Sequence, residues 1–336
     1  MTLTPDTNLQ IRLAARPKGL PQESDFQFVE EPIPQPGEGQ VLVKNLYLSL
    51  DPAMRGWMND RKSYVPPIGI GEVMRGLAVG EVVDSKVSGF TPGNLVSGVF
   101  GWQRYAVARA KDLSRIPPGI SPTVALGPLG MPGLTAYFGL LDVGQLKAGE
   151  TVLISGAAGA VGSIVGQIAK IKGCRAVGIA GTDEKCRWLT EELGLDAAIN
   201  YKTAKDLHEE IRGACPKGID VYFDNVGGEI LDTALRSLAF HARVVICGAI
   251  STYNATEPPK GPANYLALLV QRARMEGFLV MDYHARYPEA QAELGRWLGE
   301  GKLRYREEVI EGLENAPKAL LRLFDGSNTG KLMVKV

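Results

Sequence analysis

Histidine is almost missing from this sequence, with 3 in 336 residues, and cysteine is sparse at 4. No Cys precedes Cys174 and no His precedes His208, so the first half of the chain cannot supply the thiolate and imidazole ligands of a zinc site. The four cysteines, Cys174, Cys186, Cys215 and Cys247, are scattered without a C-x-x-C pair, which suggests neither a disulfide framework nor a zinc knuckle. An excess of charge of either sign is also lacking, since Lys plus Arg and Asp plus Glu each total 37. That balance offers no general pull on nucleic acid or an anionic membrane. No apolar run approaches the roughly 18 residues needed to span a bilayer. The opening MTLTPDTNLQ has neither the basic nor the apolar region of a signal peptide. The expectation is a soluble, cytoplasmic globular protein, long enough for two domains with cores of their own.

What is present falls into two rhythms. In the first third, GQVLVKNLYLSL alternates apolar and polar residues in part, and the stretch from Arg75 to Ala108 breaks repeatedly at Gly76, Gly80, Gly89, Pro92-Gly93 and Gly98. Short strands without helical periodicity read as a Gly-rich, partly open β-barrel. From about Gly127 strands and helices alternate. After TVLIS, Val161, Val165, Ile168 and Ile171 fall on one helical face. RAVGIA, a helix over DEKCRWLTEEL, AAIN, a helix at 207–214, VYFD, a helix at 229–238 and ARVVIC follow. Apolar strands separated by helices predict a doubly wound parallel sheet covered on both faces. EGFLVMDY reads as one more strand, and the tail returns to strand–helix–strand and rejoins the barrel. The division predicted is 1–126 with 299–336 for the barrel domain, and 127–298 for the inserted α/β domain.

The stretch SGAAGAVGS resembles a dinucleotide-phosphate loop, except that Ala157 stands where G-x-G-x-x-G has its first glycine. Alanine costs little there if its φ is negative, because only φ > 0 penalises a Cβ heavily. Gly159 and Gly162, the positions that most need a bare backbone, are intact, and a helix follows whose N-terminal N–H groups suit phosphate. Gly159, Ala160, Val161 and Gly162 are therefore predicted to hold a cofactor pyrophosphate.

Enzymes that use NAD place an acid about 20 residues beyond the loop, where it accepts from the ribose 2′-OH. Gly181 occupies that point here. Asp183 is a rival ribose ligand, or simply a first-turn acid after a Thr182 cap. Lys185 offers a charge to a 2′-phosphate, or is merely a solvated surface lysine. The pattern leans to NADP. FDNVGG and CGAISTYN lie at carboxyl ends of parallel strands, the edge where such sheets bind ligands. Asn225 brings an amide and Tyr253 a phenol, against the plainer readings of an ordinary turn and a packed loop tyrosine.

NLYLSLDPAMRGWM, GMPGLTAYFGLLDVGQLKAGETVLISGAAGAVGS, INYKT, VYFDNVGGEILD, ICGAISTYN and GFLVMDY together resemble the zinc-free medium-chain reductases. The nearest group is the leukotriene/prostaglandin reductases, alkenal double-bond reductases and curcumin reductases. The likeness runs nearly end to end. It implies a GroES-like catalytic domain built from both chain ends around an inserted Rossmann domain, with NADPH-dependent reduction of a C=C bond conjugated to a carbonyl. Hydride would reach the β-carbon, and the resulting enolate would be protonated at the α-carbon. The resemblance places the 2′-phosphate at Gly181, Lys185 and Tyr201, and the pyrophosphate at Gly159–Gly162 with Asn225 nearby. Cys247, Gly248, Ala249, Ile250, Ser251 and Tyr253 would border the nicotinamide side, with Phe278, Leu279 and Val280 closing over it. Met131, Thr135 and Asn328 complete the shell. Tyr253 matches the tyrosine proposed as proton donor.

One departure concerns the substrate cleft. Ala53 follows the Asp-Pro of LSLDP where plant relatives carry a tyrosine, so a phenol and an aromatic wall are missing; Tyr64 is the candidate replacement. Asp51 and Arg55 read as a structural pair. No metal is expected, and the partners implied are a small-molecule enone or enal and, by family habit, a second copy of the chain. The rival functions are an NADPH quinone reductase and a redox sensor that binds NADPH without turnover.

Overall fold

The computed structural model describes residues 7–336; the first six, on which part of the signal-peptide reading rests, lie outside the described residues. In chain order the strands are β1 (Thr7–Leu13), β2 (Phe26–Pro32), β3 (Gln40–Ser49), β4 (Leu77–Ser85), β5 (Leu95–Val99), β6 (Tyr105–Arg109) and β7 (Ser114–Arg115). There follow β8 (Thr151–Ile154), β9 (Arg175–Ala180), β10 (Ala197–Asn200), β11 (Ile219–Asp224), β12 (Leu238–Ile246), β13 (Arg274–Gly277), β14 (Glu307–Glu311) and β15 (Lys331–Lys335).

Two compact units form. One runs to Leu126 and is completed by Glu307–Asn328 and Leu332–Val336. Its main sheet is seven-stranded, in the order β14-β15-β3-β4-β5-β7 with β6 paired to β3, and β1 and β2 form a separate antiparallel pair. The central strand β3 buries most of its side chains, and Ile11, Leu48, Met54, Met58 and Trp102 are fully enclosed in one core cluster. Gly80 and Gly98 do not break strands, contrary to the sequence reading; both lie within paired strands. A Cβ on Gly80 would sit 2.5 Å from the Lys44 carbonyl, so this glycine is there for close strand approach.

The second unit is Gly127–Arg306 with Thr329–Lys331. It holds a six-stranded sheet in the order β10-β9-β8-β11-β12-β13, with every neighbour parallel. This is the Rossmann order 3-2-1-4-5-6, whose direction reverses between β8 and β11. The continuous apolar runs explain the burial: all four residues of β8 and five of six in β9 are buried, because helices cover both faces. The helix Gly162–Ile171 is itself buried from Gly162 to Ala169.

The structure revises two expectations here. Only the first two residues of EGFLVMDY are in a strand: β13 is Arg274–Gly277, and Val280–Arg286 winds into 3₁₀ turns. Beyond the last β12–β13 pair, Ile246 with Gly277, the chain leaves the sheet because the N–H groups of Cys247 and Gly248 donate to the Asp224 carbonyl. The α/β unit also runs to Arg306 instead of 298. Lys302 and Leu303 donate back to the Trp297 carbonyl, and Arg304 exchanges two hydrogen bonds with Gln167 at 2.7 and 2.9 Å. Those eight residues are held by the preceding helix and by Gln167 of the helix Gly162–Ile171, so they stay with the α/β unit. No helix among the described residues is long and apolar enough to cross a membrane.

Candidate functional site

The carboxyl ends of β8, β9, β11 and β12 gather the chemistry at one edge of the parallel sheet. After β8 the chain turns at Gly156, whose φ is +59°, and passes through Ala157 with the Ala157 N–H donating to Ile179. The left-handed conformation is thus carried one residue earlier than the missing glycine, and Ala157 does not share it. A Cβ on Gly162 would lie 2.4 Å from the Gly156 carbonyl oxygen and 2.8 Å from the Ala157 Cα. A Cβ on Gly159 would meet only that same oxygen, at 3.2 Å. Gly162 therefore lets the loop close onto the helix start, and Gly159 keeps the loop surface low. The loop is braced from behind by Gly330, whose N–H donates to the Ala158 carbonyl at 3.0 Å. Asn328 precedes that brace in the chain but belongs to the barrel unit.

At the end of β9, a Cβ on Gly181 would stand 3.2 Å from the Tyr201 ring and 3.3 Å from the Lys202 side chain. An acid of the NAD type would have to push both side chains aside by a few tenths of an ångström. Thr182 caps the next helix by accepting from the Lys185 N–H, and Asp183 accepts from the Asn200 amide at 2.7 Å. Asp183 is thus a first-turn acid tied to β10. Lys202 is the residue that sequence reasoning missed; its signal was only the step after Tyr201 in NYKT, which gains meaning once β10 ends beside Gly181.

Asn225 sits between the glycine loop and the turn after β12. Its side-chain amide donates to the Ser155 carbonyl at 2.7 Å, and its own carbonyl accepts from Ile250. Ser251 donates through its hydroxyl to the Val226 carbonyl at 2.6 Å, which ties the run Cys247–Tyr253 to the turn after β11. The Tyr253 hydroxyl lies 3.1 Å from where a Cβ on Gly248 would be and accepts from the Ala249 N–H at 3.2 Å. Its oxygen is positioned by backbone, so the phenol direction is fixed by the loop. Burial of its thiol, and then the charge of Asp224, push Cys247 up to about 12. It stays a neutral thiol beside the tyrosine loop.

Met131 and Thr135 lie on the helix Met131–Phe138, which packs against the helix that follows the glycine loop. The Tyr287 hydroxyl donates to the Val280 carbonyl at 3.1 Å and lies 3.9 Å from the Met131 sulfur, which brings these two predicted residues together. Phe278 turns inward: its ring meets Phe223 edge-on at 6.5 Å and packs against Gly139. In the barrel unit, Ala53 begins the short helix Ala53–Trp57, and Tyr64 accepts from the Trp57 indole N–H at 3.0 Å. Arg55 is buried and donates to the carbonyls of Pro17 and Gly19, so it holds a loop. No group of three or more His, Cys, Asp or Glu suited to a metal occurs among the described residues.

A Rossmann order, a glycine loop closed onto a helix start and a tyrosine-bearing strand end define the class: a dinucleotide-dependent oxidoreductase. One family model, described as the N-terminal domain of oxidoreductase, matches residues 9–116, and another, described as zinc-binding dehydrogenase, matches 160–296. The NADPH-dependent curcumin reductase of Escherichia coli is 48% identical, over 96% of this chain and 95% of its own length. The NADP(+)-dependent 2-alkenal reductase of Nicotiana tabacum is 42% identical, over 98% of each. The crystal structure of CurA from Vibrio vulnificus in complex with NADPH superposes with a TM-score of 0.93 at 46% identity, covering 98% of this chain and 99% of that one. The chain belongs to the zinc-free medium-chain dehydrogenase/reductase family, in the group of prostaglandin, alkenal and curcumin reductases.

Proposed function

We propose that this protein is an NADPH-dependent 2-alkenal/enone reductase that works without a metal. One observation carries the reading: a glycine loop with no room for a Cβ at Gly162 shares one sheet edge with a tyrosine hydroxyl docked on the Ala249 N–H. The names of the alkenal and curcumin reductases support the same chemistry. The cofactor is NADPH. Gly159, Ala160, Val161 and Gly162 take its pyrophosphate at the helix start, with Asn225 beside them. Gly181, Lys185, Tyr201 and Lys202 take the 2′-phosphate. When bound, NADPH supplies a hydride, and the protein's work is alignment and charge stabilisation. Tyr253 holds the proton destined for the substrate α-carbon, and its direction is set by the Ala249 N–H. The test is NADPH oxidation against alkenals, enones and quinones, with cofactor deuterated at C4. Deuterium is expected at the product β-carbon. Label on the carbonyl carbon would mean alcohol dehydrogenase chemistry, turnover of quinones alone a quinone reductase, and binding without turnover a sensor.

The 2′-phosphate reading has its own check. Losing one charge-assisted contact costs about 1.5–3 kcal/mol, roughly tenfold or more in affinity. Lys202→Ala and Lys185→Ala are each expected to weaken NADPH by that amount and leave NADH nearly unchanged. Equal losses for the two cofactors, measured by fluorescence titration, would remove both lysines from the pocket.

The second copy of the chain fits the free edge of the α/β unit. β13 ends the sheet, and beside it Tyr265, Leu266, Leu269 and Val270 are exposed by more than half. An uncovered strand edge flanked by apolar side chains is a site for another chain. Leu269→Glu is expected to turn a dimer into a monomer in sedimentation; a wild-type monomer at micromolar concentration removes this assignment.

A further inference from the structure

The last residue of β11, Asp224, is a carboxylate only 1% exposed, at the point where the parallel sheet reverses direction. It accepts from the Ser155 hydroxyl at 2.7 Å, the Tyr222 hydroxyl at 2.8 Å, the Val226 N–H at 3.1 Å and the Gly227 N–H at 3.0 and 3.1 Å. Every one of these donors is neutral. The Ser155 oxygen in turn accepts from the Asn225 N–H at 2.9 Å, and the Asp224 carbonyl accepts from Cys247 and Gly248. One residue therefore touches the strand end that opens the glycine loop, the turn after β11 and the run that leads to Tyr253.

A buried carboxylate without a cation is costly, and a neutral residue of similar size normally serves stability better. Four of these bonds meet on Oδ1 and the Gly227 N–H alone also reaches Oδ2, so an asparagine would keep the Oδ1 bonds while its NH2 faced the Gly227 N–H and disturbed that turn. We infer that Asp224 is a positioning residue: its carboxylate ties the strand end that opens the pyrophosphate loop to the turn after β11, and that turn holds the tyrosine-bearing run through the Val226 carbonyl and Ser251, so that both halves of the cofactor meet prearranged backbone. The inference rests on the NADPH reading above. The 2′-phosphate pocket at Gly181, Tyr201 and Lys202 lies at another strand end and has no bond to this network among the contacts described.

The two halves can be read apart by titrating NADPH and adenosine 2′-monophosphate against the wild type, Asp224→Asn and Ser155→Ala, with melting temperatures recorded alongside. Asp224→Asn is expected to weaken NADPH about tenfold or more while adenosine 2′-monophosphate stays within about twofold. Ser155→Ala, which keeps the buried carboxylate, is expected to show the same split to a smaller degree. The double variant should bind NADPH no worse than Asp224→Asn alone, since both disturb one network. Parallel loss of both ligands would mean a general structural role and overturn the assignment, as would unchanged NADPH affinity in both single variants. Should Asp224→Asn fail to fold, Ser155→Ala decides alone. A wild type that binds adenosine 2′-monophosphate but not NADPH would instead sink the reading of the cofactor.

Discussion

Gly162→Ala is expected to cost this protein about 3 kcal/mol and most of its affinity for NADPH. The added Cβ would lie 2.4 Å from the Gly156 oxygen, 2.8 Å from the Ala157 Cα and 3.0 Å from the Gly156 carbon. All three are backbone atoms, so no flexible side chain can swing aside. Ala157 is fully buried and its N–H is bonded to Ile179, so the loop cannot retreat inward. It must instead lift from the helix start, which is the surface that receives phosphate. At roughly 2–4 °C per kcal/mol for a domain of this size, the melting temperature should fall by about 6–12 °C. Gly159→Ala is the control for melting alone, because its single close contact at 3.2 Å asks for a shift of only a few tenths of an ångström, whereas its Cβ would stand in the surface that takes the pyrophosphate. Calorimetry and fluorescence titration on the two variants decide the matter. A Gly162→Ala protein with wild-type melting and NADPH affinity would show that the loop is not a fitted surface.

Tyr253→Phe is expected to slow enone reduction roughly a hundredfold, at the lower end of what a positioned acid contributes. Water reaching the site limits the loss. The phenol oxygen already accepts from the Ala249 N–H, and a hydroxyl that accepts retains its own proton to give. Phenylalanine keeps the ring while removing both functions. NADPH affinity should change by no more than a few fold, which separates a proton donor from a loop prop. Deuterium from the cofactor should still appear at the β-carbon. A fully active Tyr253→Phe enzyme would assign the α-proton to water or a ribose hydroxyl.

Much of the α/β unit was legible because its strands are short apolar runs: TVLI, RAVGIA and VYFD can be buried on both faces and little else. The glycine loop was legible for the same reason, since Gly159 and Gly162 sit between such a strand and an apolar helix. EGFLVMDY misled because its composition is that of a strand, whereas pairing depends on its neighbour. Once Cys247 and Gly248 turn towards the Asp224 carbonyl, Phe278 has no partner and packs inward instead. Gly80 misled in the opposite way: a glycine needed for strand contact looks, in one dimension, like a glycine needed for a turn. Lys202 was out of reach because its closeness to Gly181 is a matter of where β10 stops beside β9. The network on Asp224 was hidden too, for its members Ser155, Tyr222 and Gly227 share no spacing.

The cysteines carry a consequence for chemical endurance. Enones and enals alkylate thiolates, so a protein proposed to reduce them would risk inactivation by its own substrates; the attacking species is the thiolate, never the neutral thiol. The first 173 residues carry no thiol at all. Burial raises Cys174 and Cys186, takes Cys215 up to about 11 and Cys247 up to about 12. Because these shifts are upward, thiolate forms only as the pH climbs towards those values; at pH 7 roughly one molecule in ten thousand or fewer carries it at Cys215 or Cys247. The four thiols are expected to stay free of acrolein adducts through hours at pH 7, read cysteine by cysteine by peptide mass spectrometry, and to take up adducts as the buffer is made alkaline. Rapid alkylation of one of these cysteines at neutral pH, seen in the same way, would show that the fold gives its thiols no such protection.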